Sequence, residues 1–277
     1  MKKFKSLATG LIYQENAISA SEKAEIIHYI SSIYPIWEQR FSNNNPPPEG
    51  QENRWLLRPV YWLGNWQFAC LNYYHPPKGL YDRCVQAENY PPVLQKIVMR
   101  IEDIVHTQYA DKDIPKGWHL NTCLINFYGD KIADGKKIDC ARVGEHKDFE
   151  PGPVGSISFG ERALIQFVSS DGKGSQSKVF CEQWLNDCSL QIFGGDKFKK
   201  QLFHRVQRVD KKLNHIFPLN GIDNFDTRRI NFTFRYVPND HIVDYQFLKS
   251  EAKQDIQGYV EQLSQHSDFW RSQLLDS

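Results

Sequence analysis

From residue 118 onward the chain breaks into seven short runs that read as β-strands: 120–128, 154–159, 163–168, 178–184, 190–193, 202–209 and 229–237, with Gly, Asp and Pro between them. Short strands bury an apolar face only when sheets stack or close, so this spacing admits a sandwich or a barrel. Two amphipathic segments come first. Ser19 with Glu22 forms a capping-box pattern, and Ile26, Ile27, Ile30, Ile33 and Tyr34 follow at helical spacing, which predicts a helix over 20–34 ended by Pro35. Pro91-Pro92 opens a second helix whose Leu94, Ile97, Val98, Ile101, Ile104 and Val105 make an apolar stripe that needs a sheet to lie on. A last helical stretch is expected over 242–263.

Composition removes several alternatives. In 277 residues, 40% are hydrophobic, which excludes a disordered chain, and 13% are aromatic with 14 Pro and 17 Gly, which disfavours an all-helical one. Lys and Arg (34) balance Asp and Glu (33), so any nucleic-acid contact must come from a local patch. The six cysteines contain no C-x-x-C pair and read as reduced thiols in a cytoplasmic compartment. No apolar window approaches a membrane span, and Gln14, Glu15 and Asn16 interrupt the start before a signal peptide could form. The expectation is an intracellular protein that is neither secreted nor membrane-bound. Residues 43–50, with three prolines, read as an exposed loop, and 54–81 interleaves aromatics with cations as short strands and a loop.

Three constellations carry chemistry. On an extended segment His146 and Asp148 point to one face and could present an imidazole and a carboxylate to one metal ion. A chance H-x-D is expected roughly 0.6 times in this chain, so a solvated loop is an equally open reading. His204 could complete a 2-His-1-carboxylate triad, or be a hydrogen-bonded core histidine. In the run Arg229-Ile230-Asn231-Phe232-Thr233-Phe234-Arg235, alternation puts Arg229, Asn231, Thr233 and Arg235 on one face and the apolar residues on the other. Two guanidiniums and an amide are costly to bury without anions and suit a small dicarboxylate. R-x-N-x-T-x-R is expected by chance only ~0.001 times.

H-x-D, a distant His and then R-x-N-x-T-x-R resemble the signature of AlkB-like 2-oxoglutarate- and Fe(II)-dependent dioxygenases. Asn126-Phe127-Tyr128 looks like the family's N-x-Y element, residues 154–160 are similar to its strand after H-x-D, and Ile192-Phe193-Gly194-Gly195-Asp196 looks like its turn before the distal ligand. The resemblance spans about residues 120–237 and implies a double-stranded β-helix, the jelly-roll. On that basis the fold class is α+β. A jelly-roll core, 118–241, carries an N-terminal α/β extension, 1–117, and a C-terminal helix, 242–277, in one structural domain. By similarity His146, Asp148 and His204 bind Fe(II), Arg229 pairs with the distal carboxylate of 2-oxoglutarate, and Arg235 and Asn126 contact its keto-acid end. Tyr128 and Asn231 add hydrogen bonds, and Thr233 is packing support. Two stretches depart from the pattern: a long polar loop, 129–145, and an apparent insertion, 214–226.

The resemblance implies a monomeric oxidoreductase that uses Fe(II), 2-oxoglutarate and O₂ to demethylate N-alkylated bases in DNA or RNA, releasing formaldehyde, succinate and CO₂. The substrate would be single-stranded or flipped-out nucleic acid. Glu150 matches a family position that contacts the base with a carboxylate, and is equally readable as a surface acid. Trp66 and Tyr74, in the stretch that corresponds to a nucleotide lid, are stacking candidates chosen by position, and either could instead be core. Lys136, Lys137, Arg142, Lys147, Lys197, Lys199 and Lys200 could meet phosphates. The alternative is an oxygenase acting on a protein side chain or a small molecule.

Overall fold

The capping box forms. Ser19 Oγ accepts from the Glu22 N–H at 3.2 Å, and Glu22 Oε2 accepts from the Ser19 N–H at 2.8 Å, which starts α1, Ala20–Ile30. The helix stops short of residue 34 because Ser31 and Ser32 turn their hydroxyls onto the carbonyls of His28 and Tyr29. The second helix, α2, runs Pro92–Gln108 and buries the whole apolar stripe. This computed structural model describes residues 5–39, 58–69, 71, 83–169, 177–209 and 211–275.

The strands are β1 Lys5–Ala8, β2 Leu11–Gln14, β3 Ile36–Glu38, β4 Arg58–Leu63, β5 Asn65–Gln67, β6 Cys84–Gln86, β7 Thr122–Ala133, β8 Lys136–Asp139, β9 Val143–His146, β10 Val154–Gly160, β11 Ala163–Ser169, β12 Lys178–Leu185, β13 Ser189–Phe193, β14 Phe203–Gln207 and β15 Phe225–Arg235. They build a nine-stranded sheet in the order β1-β2-β13-β10-β15-β7-β4-β3, with β8 paired to β7. A four-stranded sheet, β12-β11-β14-β9, faces it, and β5 and β6 form a small ribbon. Antiparallel pairing and two facing sheets make this a jelly-roll in an α+β chain. The N-terminal strands extend the large sheet at both edges, β2 pairing with β13 and β4 with β7.

Alternation divides the large sheet into an oily and a polar face. Ile157 and Phe159 of β10, Ile230, Phe232 and Phe234 of β15, and Leu190 and Ile192 of β13 enter the main core with α2 and the C-terminal helices. Gly155 lets α2 lie close, since a Cβ there would come within 2.9 Å of Ile101 Cγ2. A second, smaller core lies between the sheets, around Tyr13, Val154, Phe167, Phe193 and Phe198. Beside it the inner face turns polar, and that is where the site forms.

Two expectations are corrected, over 129–145 and 242–263. Residues 129–145 are not a loop: β7 continues to Ala133, turns at Asp134-Gly135, both at positive φ, and returns as β8 before β9 begins. Asp130 stays in the strand because the buried Arg228 pairs with it, Nη1 to Oδ2 at 2.5 Å. The insertion at 214–226 packs inward through Phe217, Leu219, Ile222 and Phe225, and Asn220 Nδ2 donates to the carbonyls of Ser31 and Ile33. The last helix begins later than expected, as α3, Ser250–Ser264, followed by α4, Asp268–Leu275. Val243 cannot join it because its N–H donates to Cys84 O at the edge of β6. Among the described residues no helix is long and apolar enough to cross a membrane.

Candidate active site

His146 and His204 meet as register partners where β9 pairs with β14, their ring centroids 4.1 Å apart. Asp148 lies beyond the end of β9 and not on a continuing strand, yet the loop carries its Oδ2 to 3.6 Å from His204 Nε2. One ligand atom from each of the three residues lies within 4.8 Å of the others. His146 Nδ1 sits 2.8 Å from Gly144 O, which places the proton on Nδ1 and leaves the Nε2 lone pair free. Asp148 Oδ2 is buried and has no hydrogen-bond partner. Two imidazoles and a carboxylate with an unfilled, buried oxygen between them fit a divalent iron centre.

The electrostatics agree. Burial lowers both imidazoles, His204 to about 3, so both are neutral, ligating bases at pH 7. The approach of His204 to Asp148 is therefore not an ion pair. Burial works against the Asp148 carboxylate, but the Arg235 guanidinium holds its pKa well below the usual carboxylate range.

The strand R-x-N-x-T-x-R faces the same site, and its residues do different work. Arg235 donates to Asp148 Oδ1 from Nε at 3.0 Å and Nη2 at 2.8 Å, with Glu150 Oε1 3.5 Å from Nε. It grips the carboxylate at the metal position, where the sequence suggested a co-substrate contact. Asn231 is also spent within the protein: Nδ2 donates to Ile157 O and Ser158 Oγ, and Oδ1 accepts from Thr233 Oγ1. Thr233 thus orients that amide. Arg229 is different. Nη2 donates to Ser158 Oγ at 3.1 Å and Tyr128 is a further side-chain partner, while Nε and Nη1 are buried without partners and suit a carboxylate. Its guanidinium lies 4.8 Å from the Tyr128 ring centroid, with Arg58 at 5.1 Å from the same ring. Asn126 faces Asn231 across β7 and β15.

Glu150 is 5% exposed, with Oε2 unpartnered. Burial, and Asp148 beside it, raise its pKa despite Arg235. It is a pocket residue and not a surface acid. Trp66 is corrected: it is 0% exposed, packs on Phe68 and Trp270, and donates Nε1 to Glu38 Oε1 at 3.0 Å, so no face is free for a base. Tyr74 lies outside the described residues. Of the lysines, Lys137 pairs with Asp226, Lys147 donates to Lys200 O, and Lys199 turns out to be buried at Nζ. Arg58 and Ser158 were missed as site residues. The alternation of β10 could have found Ser158, but nothing local marks Arg58.

The jelly-roll and this donor set define a non-haem iron oxygenase. The family model of the 2OG-Fe(II) oxygenase superfamily matches residues 10–235, and the chain belongs to that superfamily. It is a dioxygenase that uses Fe(II), 2-oxoglutarate and O₂. Among solved structures it is similar to OsALKBH1, with a TM-score of 0.52 and 21% identity over 84% of this chain and 100% of that one. It is also similar to a 2OG-Fe(II) oxygenase family oxidoreductase from Burkholderia pseudomallei, at TM-score 0.45 and 13% identity over 81% and 84% of the two chains. The ribosomal oxygenase YcfD of Escherichia coli aligns at TM-score 0.34 and 8% identity over 95% and 66%. The first of these likenesses is one of fold. No curated protein matches the sequence.

Proposed function

We propose that the chain is an oxidative demethylase of N-alkylated bases in DNA or RNA, with His146, Asp148 and His204 holding Fe(II) and Arg229 holding the distal carboxylate of 2-oxoglutarate. The observation that carries the substrate reading is Glu150. An unfilled, buried carboxylate oxygen beside Asp148 is an acceptor aimed at something other than protein, and the N–H edge of a flipped-out base supplies the donor. The AlkB-like order of motifs supports the same substrate.

Fe(II) held by His146, Asp148 and His204 would supply, with 2-oxoglutarate and O₂, the hydroxylation of the N-methyl C–H bond, with succinate and CO₂ as co-products. The resulting hemiaminal releases formaldehyde and leaves N–H on the base. The protein's own groups bind and orient. Arg235 fixes the Asp148 carboxylate, Asn126 and Tyr128 line the co-substrate side, Asn231 shapes its wall through Ser158, and Glu150 holds the base edge. With Trp66 in the core, the exposed aromatics by the site, among the described residues, that can stack a base are Phe149, 38% exposed between Asp148 and Glu150, and Phe180, 45% exposed under Lys197.

Mass spectrometry of methylated single-stranded DNA and RNA, incubated with Fe(II), ascorbate and O₂ with and without 2-oxoglutarate, tests this. The expected result is loss of one methylene's mass that requires 2-oxoglutarate and vanishes in His146→Ala. Succinate without demethylation of any oligonucleotide would turn the assignment to a protein or small-molecule substrate.

A further inference from the structure

The buried lysine beside the site says more about the substrate, on the premise that the substrate is a nucleobase. Lys199 sits in the π-helical turn Lys197–Gln201, a wide turn of the kind that occurs mostly at functional sites. Two anchors hold this turn, one to β11 and one to the metal-site loop. Phe198 is buried against Phe167, 4.8 Å between ring centroids, and Lys147 Nζ donates to Lys200 O.

The neighbouring lysines face outward. Lys197 Nζ lies 3.7 Å above the exposed Phe180 ring, and Lys200 pairs with Asp196 at 2.7 Å. Lys199 Nζ, in contrast, is shut away from solvent and meets no hydrogen-bond acceptor. It lies 5.8 Å from the centroid of Phe193, whose ring is 5.2 Å from that of His204, and its charge acts on Asp148 and Glu150. Burial disfavours that ammonium, the Asp148 and Glu150 charges offset part of the cost, and the hydrogen bond it lacks is one that a ligand can supply. The outer lysines, Lys197 and Lys200, are the ones placed to meet a backbone phosphate. The acceptor belongs to the part of the substrate that enters.

The same site holds an unfilled acceptor, Glu150 Oε2, on a side chain whose Oε1 lies 3.5 Å from Arg235 Nε. Such a pair matches a base edge with one C=O and one N–H. We propose that Lys199 and Glu150 together read the lactam edge of an alkylated base, Lys199 donating to an exocyclic carbonyl and Glu150 accepting from an N–H. N1-methylguanine has both groups, O6 and the N2 amine, on either side of its methylated nitrogen, which sets the methyl between the two contacts. N1-methyladenine has no carbonyl and is cationic near pH 7, a charge that the ammonium repels.

The test is kcat/KM on single-stranded oligonucleotides carrying one N1-methylguanine or one N1-methyladenine, for the wild type, Lys199→Met and Lys199→Arg. The wild type is expected to prefer the guanine at least tenfold. Lys199→Met should cut that ratio at least tenfold, mainly by losing turnover of the guanine, and Lys199→Arg, which keeps a donor, should retain part of it. A wild-type preference for the adenine, an unchanged ratio in Lys199→Met, or an equal fall on both oligonucleotides overturns the proposal. Activity confined to other methylated bases overturns this proposal alone. If wild-type protein forms succinate but demethylates neither these nor any other methylated DNA or RNA oligonucleotide, the nucleobase reading itself fails and this one with it. That outcome is distinguishable because the wild type, and not the variant, is inactive on bases.

Discussion

Arg229 keeps two buried guanidinium nitrogens unfilled, so its charge needs an anion from outside the protein. A hydrogen bond to a charged group contributes about 1.5–3 kcal/mol. Arg229→Met should therefore weaken 2-oxoglutarate binding roughly ten- to hundredfold, measured by anaerobic calorimetry with Mn(II) in place of iron; an unchanged Kd would mean that this arginine serves only the sheet. His204 makes a prediction in pH. Its imidazole titrates at about 3 in the folded chain, against about 6.5 when unfolded, so between those values the unfolded chain binds more protons and stability rises with pH. Metal-free protein should lose on the order of 2 kcal/mol between pH 7 and pH 5 from this one group. Urea melts at the two pH values check it, and His204→Gln should flatten the slope; a slope that survives the substitution assigns the effect elsewhere.

At the scale of elements, the aim of Arg229 depends on a bulge. Thr227 pairs with Gly129 and Arg229 with Tyr128, which leaves Arg228 as the extra residue, and its guanidinium goes to Asp130 and Glu161. The strands close up at this point: a Cβ on Gly129 would stand 1.8 Å from Asp226 O, a backbone atom that cannot rotate away. Gly129→Ala should force β7 and β15 apart, lower the melting temperature and weaken 2-oxoglutarate binding in the same variant. Normal affinity in a destabilised Gly129→Ala would show that the bulge supports the fold without aiming the arginine. The ion network around Arg228 also explains why a stretch that reads as a polar loop is a strand pair, because its charges are neutralised by partners far along the chain.

Over the whole molecule the two cores divide the work. The larger one, sheet against helices, carries most of the apolar burial, whereas the space between the sheets is shared by a small apolar cluster and the site. Trp270 of α4 is fully buried against Trp66 on the helix side. Trp270→Ala should cost about 3–5 kcal/mol of stability and leave the metal affinity of the folded fraction unchanged. A parallel loss of metal binding, followed by Mn(II) titration at low temperature, would show that the helical layer also sets the geometry of the site.

The division between sequence and tertiary structure follows the range of the physics. Alternation and capping are local, so the chain by itself determined α1, α2, the seven strand runs and the polar face Arg229-Asn231-Thr233-Arg235; a period of two or of 3.6 needs no knowledge of neighbours. The Asp134-Gly135 turn was legible too, as a hairpin signal inside a segment read as a loop. Burial and pairing are not local. Whether Trp66 stacks on a base or on Trp270, whether Lys199 faces solvent or the site, and whether Arg235 holds a co-substrate or Asp148 depend on residues brought from elsewhere in the chain. The register of β9 against β14, which sets His146 opposite His204, was decided only by the pairing of two strands of the four-stranded sheet that lie far apart in the chain.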